Sequence, residues 1–120
     1  MDISKTIAEM KKESGFTENV GMVLVHNGVV RGWSRKGRER VKSVNVRPDT
    51  EKMNAICEEI KKRPGIYKVV AHANSGELKP GDDLLFLIVA GDIRENVKAA
   101  FSELLDRIKA EAVFKKEELE

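Results

Sequence analysis

Residues 84–112 read LLFLIVAGDIRENVKAAFSELLDRIKAEA, and two periods meet inside this run. From Leu84 to Ala90 the residues are apolar without a break, as in a central strand covered on both faces. Further on, Val97, Ala100, Phe101, Leu104, Leu105 and Ile108 recur at three- and four-residue spacing, the stripe of an amphipathic helix. Asp92 and Glu95, three apart at the junction, have the pattern of a capping box. A buried strand running straight into a long helix places the chain among mixed α and β folds.

Working upstream, GELKPGDD before the run is turn-rich, and Tyr67 to Ala71 reads as another strand. Before that, Pro48-Asp49-Thr50 introduces a helix. Its residues Met53, Ile56, Cys57 and Ile60 share one face, and KKRPG ends it with cations and a breaker. VKSVNV alternates as a half-buried strand does, while RGWSRKGRER has no apolar period and reads as a loop. VGMVLV is a strand. The Asn27-Gly28 step beyond it has the chemistry of a two-residue hairpin turn, with Val29 and Val30 as continuation or return strand. At the front, Ile3, Ile7 and Met10 recur at helical spacing, with Asp2 as cap and Gly15 as stop. Past the long helix, Val113 and Phe114 break its pattern, so the chain is expected to turn and re-enter the sheet. Short connections and imperfect alternation favour α+β over a doubly wound parallel sheet: a single domain, 1–120, with a mainly antiparallel sheet flanked by helices.

Length and composition agree with one globular domain. The 120 residues are 41% hydrophobic and 35% charged, enough for one real core. Twenty-two basic residues against 20 acidic give a net charge of +2, too small to imply a nucleic-acid binder. A single cysteine, Cys57, excludes an internal disulfide framework and a cysteine-based zinc cluster. No apolar run approaches the ~20 residues that span a bilayer, and the N-terminal segment lacks the apolar centre of a signal peptide. The expectation is a cytoplasmic protein that needs no membrane.

Three clusters could carry chemistry. Between Arg31 and Lys42 six residues are basic, Arg31 and Arg35 among them, and one, Glu39, is acidic. Guanidiniums match phosphate geometry, Gly32 and Gly37 admit close approach, and Trp33 could stack on a flat heterocycle, although a solvated loop explains the same composition. Arg94 stands in the first turn of the long helix. There it opposes the helix dipole but could hold an anion, or simply pair with a nearby carboxylate. Lys109 and Lys116 flank the apolar Ala112-Val113-Phe114 step, so a turn there could bring both to one pocket. A lysine partly desolvated among cations has a lowered pKa and can serve as base or nucleophile; a snorkelling helix-end lysine and a charged tail is the plainer account. His26, His72 and Cys57 have no partner at ligand spacing and read as local or core residues.

Taken in order, these pieces resemble the large, catalytic subunit family of molybdopterin synthase, the MoaE-like proteins. GMVLVHNGVVR is similar to the family's opening strand, with a Gly three residues before an Arg, here Gly28 and Arg31. GELKPGDDLLFLIVAG resembles its Gly-Glu-Leu and Pro-Gly-Asp turns and buried strand, and DRIKAEAVFKKEE its closing segment. The resemblance implies an α/β hammerhead-like fold and a continuous first strand in place of the hairpin. It implies a sulfurtransferase without a cofactor of its own. Its partners would be a small ubiquitin-like sulfur carrier ending in a Gly-Gly thiocarboxylate, and cyclic pyranopterin monophosphate. A homodimer of large subunits would hold one carrier each, a heterotetramer. Nucleic acid is not the expected partner, since aromatics are scarce and no nucleic-acid motif occurs.

Carried over residue by residue, Lys109 and Lys116 match the active-site lysines, and Arg31 and Arg94 match the two arginines. Arg35 and Lys115 join them as substrate contacts. Ile93 stands where the family has His, and Val113 and Lys115 where it has Pro and Trp; that leaves the matching strand lysine open between Lys115 and Lys116. These departures keep a second expectation alive, a paralogue that binds a carrier or an anion without the chemistry.

Overall fold

A computed structural model describes residues 1–120. The elements are α1 (Ile3–Met10), α2 (Phe16–Asn19), β1 (Met22–Val29), β2 (Val41–Pro48), α3 (Thr50–Lys61), β3 (Ile66–Ala73), β4 (Gly76–Leu78), β5 (Asp83–Gly91), α4 (Arg94–Glu111) and β6 (Val113–Leu119). The strands make two antiparallel three-stranded sheets, ordered β1-β5-β3 and β4-β2-β6, so the chain is α+β as expected.

The apolar run is the middle strand of the first sheet, buried from Leu84 onward. Leu85, Leu87 and Val89 face a core of 17 buried residues that also takes Met53, Ile56 and Ile60 from α3, Val97, Ala100, Leu104 and Ile108 from α4, and Val44 and Val46 from β2. Its other face gives Ile88 and Ala90 to Met10 of α1. The continuous apolar pattern thus records two coverings, one per face. No helix is long and apolar enough to cross a membrane.

Local signals set the starts of two helices and the turn after the last. Asp2 and Asp49 cap α1 and α3, accepting from the amides of Lys5 and Lys52 at 3.0 Å each. The chain does turn after α4: the Ala112 carbonyl accepts from Asp49 N at 2.7 Å, and β6 pairs with β2.

Three local readings are corrected, and the hairpin gives way to the continuous strand that the family resemblance implies. Asn27-Gly28 makes no hairpin; β1 runs through it, paired with Phe86 and Leu85, and Asn27 Nδ2 donates to Asp83 Oδ1 at 3.0 Å. Pairing along β5 outweighs the local turn preference, in agreement with the continuous strand the family resemblance implies. The Asp92/Glu95 capping box does not form, because Ile93 is the N-cap. Asp92 Oδ1 instead accepts from Ile93 N at 2.6 Å and Asn96 Nδ2 at 3.0 Å, which holds its carboxyl below the usual range, Asn96 contributing most. The turn-rich GEL segment is the short strand β4 on β2. Gly15, at φ +88°, caps the one-turn α2 and lies past the end of α1.

Candidate functional site

A cavity of about 630 Å³ opens where the end of β1, the loop after it, the last turn of α4 and β6 meet. Each side chain arrives there for a local reason. Along β1 alternate residues share a face, so His26, Gly28 and Val30 look toward α4, and Val30, 4% exposed, anchors the point where Arg31 leaves the strand. The Arg31 guanidinium lies 5.0 Å from the Trp33 ring centroid and that of Arg38 lies 4.3 Å from it, so the indole braces the loop. The loop is closed by Ser34 N donating to Glu39 O at 2.7 Å, and Arg38 takes a left-handed φ of 57°. Arg35 reaches the cavity from this loop.

Lys109 follows the buried Ile108 in the last turn of α4, where a cation also suits the helix dipole. Ala112 and Val113, both buried, pin the turn into β6. Period-two alternation from Val113 then aims Lys115 and Glu117 inward. Lys115 pairs with the buried Val46 of β2, and Lys116 with the exposed Asn45.

Arg31, Arg35, Lys109 and Lys115 therefore converge, with Glu117 the one carboxylate beside them. A second hollow of about 140 Å³ adjoins, bounded by the same four cations and by Leu84, Leu85 and Val113. Burial, then Lys109 and Arg31, push the Lys115 ammonium below the ordinary lysine range, with Glu117 opposing. Burial first, and Lys109 second, lower the pKa of His26. Four cations around one hollow make an anion site, and an amine with a weakened hold on its proton adds a nucleophile or base.

Two expected residues are elsewhere. Lys116 points to the opposite face of the β2-β6 sheet, beside Asn45, Glu77 and Glu118, so it does not share a pocket with Lys109; a strand turns adjacent residues to opposite sides. Arg94 begins α4, while Lys109 lies fifteen residues on, about 22 Å along the axis at 1.5 Å per residue. The Arg94 side chain is exposed, 3.7 Å from Glu95 Oε1, so the commoner ion-pair reading fits it. The residue that sequence reasoning passed over is His26. Its signal was the shared strand parity with Gly28 and Val30, legible only once β1 is known to run unbroken. His72 is local as expected, 3.3 Å from Asn74 Oδ1. Cys57 packs against the core, its thiol pushed up to about 11 by burial and then by Glu58.

The family model described as MoaE protein matches residues 1–111. A probable molybdopterin synthase of Haloferax volcanii is 27% identical over an alignment of 118 positions that covers 94% of this chain and 45% of that protein, so the chain spans less than half of that relative's length. The molybdopterin synthase structure from Staphylococcus aureus superimposes with a TM-score of 0.73 at 25% identity, over 84% of this chain and 76% of that one. A complex of subunits 1 and 2 of the molybdopterin-converting factor from Helicobacter pylori gives 0.71 at 14% identity, over 99% and 80%, a likeness of fold.

Proposed function

The chain belongs to the MoaE protein family, and from that footing we propose that it works as the large subunit of a molybdopterin synthase. It takes sulfur from the C-terminal thiocarboxylate of a small ubiquitin-like carrier and passes it to cyclic pyranopterin monophosphate, twice, to give the dithiolene of molybdopterin. The observation that carries this reading is the convergence of Arg31, Arg35, Lys109 and Lys115 on one cavity. Both reactants are anions, and each needs neutralising where charge develops.

In this reading Arg31 and Arg35 hold the phosphate with paired guanidinium donors. The narrower hollow beside Leu84, Leu85 and Val113 receives the Gly-Gly tail, which has no side chains to exclude it. Lys109 assists at the carrier's acyl carbon, where the bond to sulfur breaks and water adds to return the carrier's carboxylate. Lys115, with its weakened hold on a proton, is the strand lysine of the reaction, and Lys116 has no part in it. Arg94 is too far along α4 to serve the cavity of its own chain, so a catalytic role for it requires a second copy, in a homodimer.

The second reading is a paralogue that binds the carrier or an anion without turnover. The outward-facing Lys116 and the distant Arg94 favour it. A single-turnover assay separates the two: purified protein, thiocarboxylated carrier and cyclic pyranopterin monophosphate, with product followed by fluorescence after oxidation. The expected result is product, reduced at least ~100-fold in Lys109→Ala with an unchanged melting profile, because Lys109 is exposed. Undiminished turnover in that variant removes Lys109 from the mechanism. A stable carrier complex without product selects the binding paralogue.

A further inference from the structure

His26, a titratable group in the cavity wall, has no role in the reading above. His26 Nε2 is buried and no protein group hydrogen-bonds to it. Such atoms are rare in folded proteins, because a buried polar atom loses water without gaining a replacement. The ring has a place kept for it. A Cβ at Gly28 would stand 2.8 Å from His26 Nε2 and 3.4 Å from the Leu85 carbonyl oxygen, so the imidazole lies over the bare Cα of Gly28, on the way to Arg31.

The charged groups around it come from three directions: Lys109 from α4, Lys115 and Glu117 from β6, Arg31 and Arg35 from the loop. β5 contributes only Leu84 to this wall. With burial and the Lys109 charge both opposing its protonation, the imidazole is neutral near pH 7 and keeps an acceptor nitrogen. Lys109 itself is exposed, and its ammonium shares the hollow with three other cations. An anion in the cavity offsets their mutual repulsion.

We propose that His26 is a positioning residue for Lys109: once an anion fills the cavity, the Lys109 ammonium swings inward and donates a hydrogen bond to the unpaired His26 Nε2. The step turns the imidazole out from over Gly28, brings the Lys109 side chain in and makes one hydrogen bond, with no proton transferred. It requires the tautomer with hydrogen on Nδ1. Protonation of His26 replaces the acceptor with a donor and adds a fifth cation, so Lys109 is released at acid pH. The link to turnover rests on the sulfur-transfer reading; the contact itself does not.

Two measurements keep those apart. In the ¹⁵N spectrum of imidazole-labelled protein, saturating inorganic phosphate is expected to shift the His26 Nε2 resonance in the direction of hydrogen-bond acceptance, in wild type and not in Lys109→Met. The same absence of shift in both proteins, or a shift in both, overturns the proposal whether or not the protein turns over. In the single-turnover assay, His26→Phe, which fills the space without an acceptor, is expected to lose at least tenfold in rate at unchanged carrier affinity. His26→Gln, which restores an acceptor, is expected to keep most of the rate and lose the acid limb of the pH profile. A His26→Phe protein as fast as wild type sinks the idea, as does an acid limb that survives in His26→Gln; the Gln variant also stands in should the Phe variant fail to fold.

Discussion

Lys115 and Lys116 are adjacent, carry the same charge and differ in everything that matters for a site. Lys115 faces Lys109 and Arg31 and has its pKa lowered by burial and by both of them; Lys116 faces outward beside Glu77 and Glu118. Lys115→Ala should therefore cost about 100-fold or more in single-turnover rate, and Lys116→Ala less than about threefold, within the range of ordinary surface changes. Equal losses would mean that strand parity does not separate the two. At this scale the sequence exposed the chemistry and left the partners open. Arg31 and Lys109 were legible from charge beside an apolar anchor. His26 was not, since nothing in a lone histidine reports which neighbours a fold will give it.

At the scale of elements, α3 and α4 are held by more than their apolar faces. Arg107 Nη1 lies 2.7 Å from Glu59 Oε2 on α3, and its Nε donates to Glu111 Oε2 at 3.1 Å. Lys52 Nζ of α3 lies 3.3 Å from Glu111 Oε1, and Arg63 Nη1 donates to Glu103 Oε1 at 2.7 Å. Arg107, by its hydrogen bond, and then Lys52 hold the Glu111 carboxyl below its ordinary value of 4.5. A carboxyl with a lowered folded pKa contributes stability that is present above its unfolded pKa and disappears as pH falls through the folded one. The melting temperature of wild type should thus drop between about pH 5 and pH 3 more steeply than that of Arg107→Met, and high salt should narrow the gap. Parallel curves at low salt would show the clasp to be inert. Periodicity places α3, α4 and β5, and Asp49 caps α3 as its sequence suggests, because those signals lie within one element; the α4 capping box is the exception. The Asn27-Gly28 turn failed because its rival, pairing along the whole of β5, involves residues some sixty positions away.

The molecule as a whole is elongated, 51 × 25 × 25 Å, with two sheets that share one apolar core. We propose that the chain is one domain, since that core draws Leu85 and Leu87 from the first sheet and Val44 and Val46 from the second. Neither sheet then has an apolar face complete without the other. Chemical denaturation followed by far-ultraviolet circular dichroism and by Trp33 fluorescence should give coincident transitions. A separate early Trp33 transition would place the β2 end of the molecule, and the loop that carries Arg31 and Arg35, in an independently unfolding unit.

Apart from the short α2 and β4, the order of the helices and strands, the antiparallel α+β class and the basic character of the site were determined by the sequence alone. Each rests on local periodicity, capping chemistry or a charge beside an apolar anchor. Which cations meet was decided only in the tertiary structure. Lys115 over Lys116 depends on the register of β6 against β2, the exclusion of Arg94 on the length of α4, and the place of His26 on β1 running through a sequence that locally favours a turn. These are long-range pairings, whose free energy comes from burial shared between distant segments and leaves no period in any one of them.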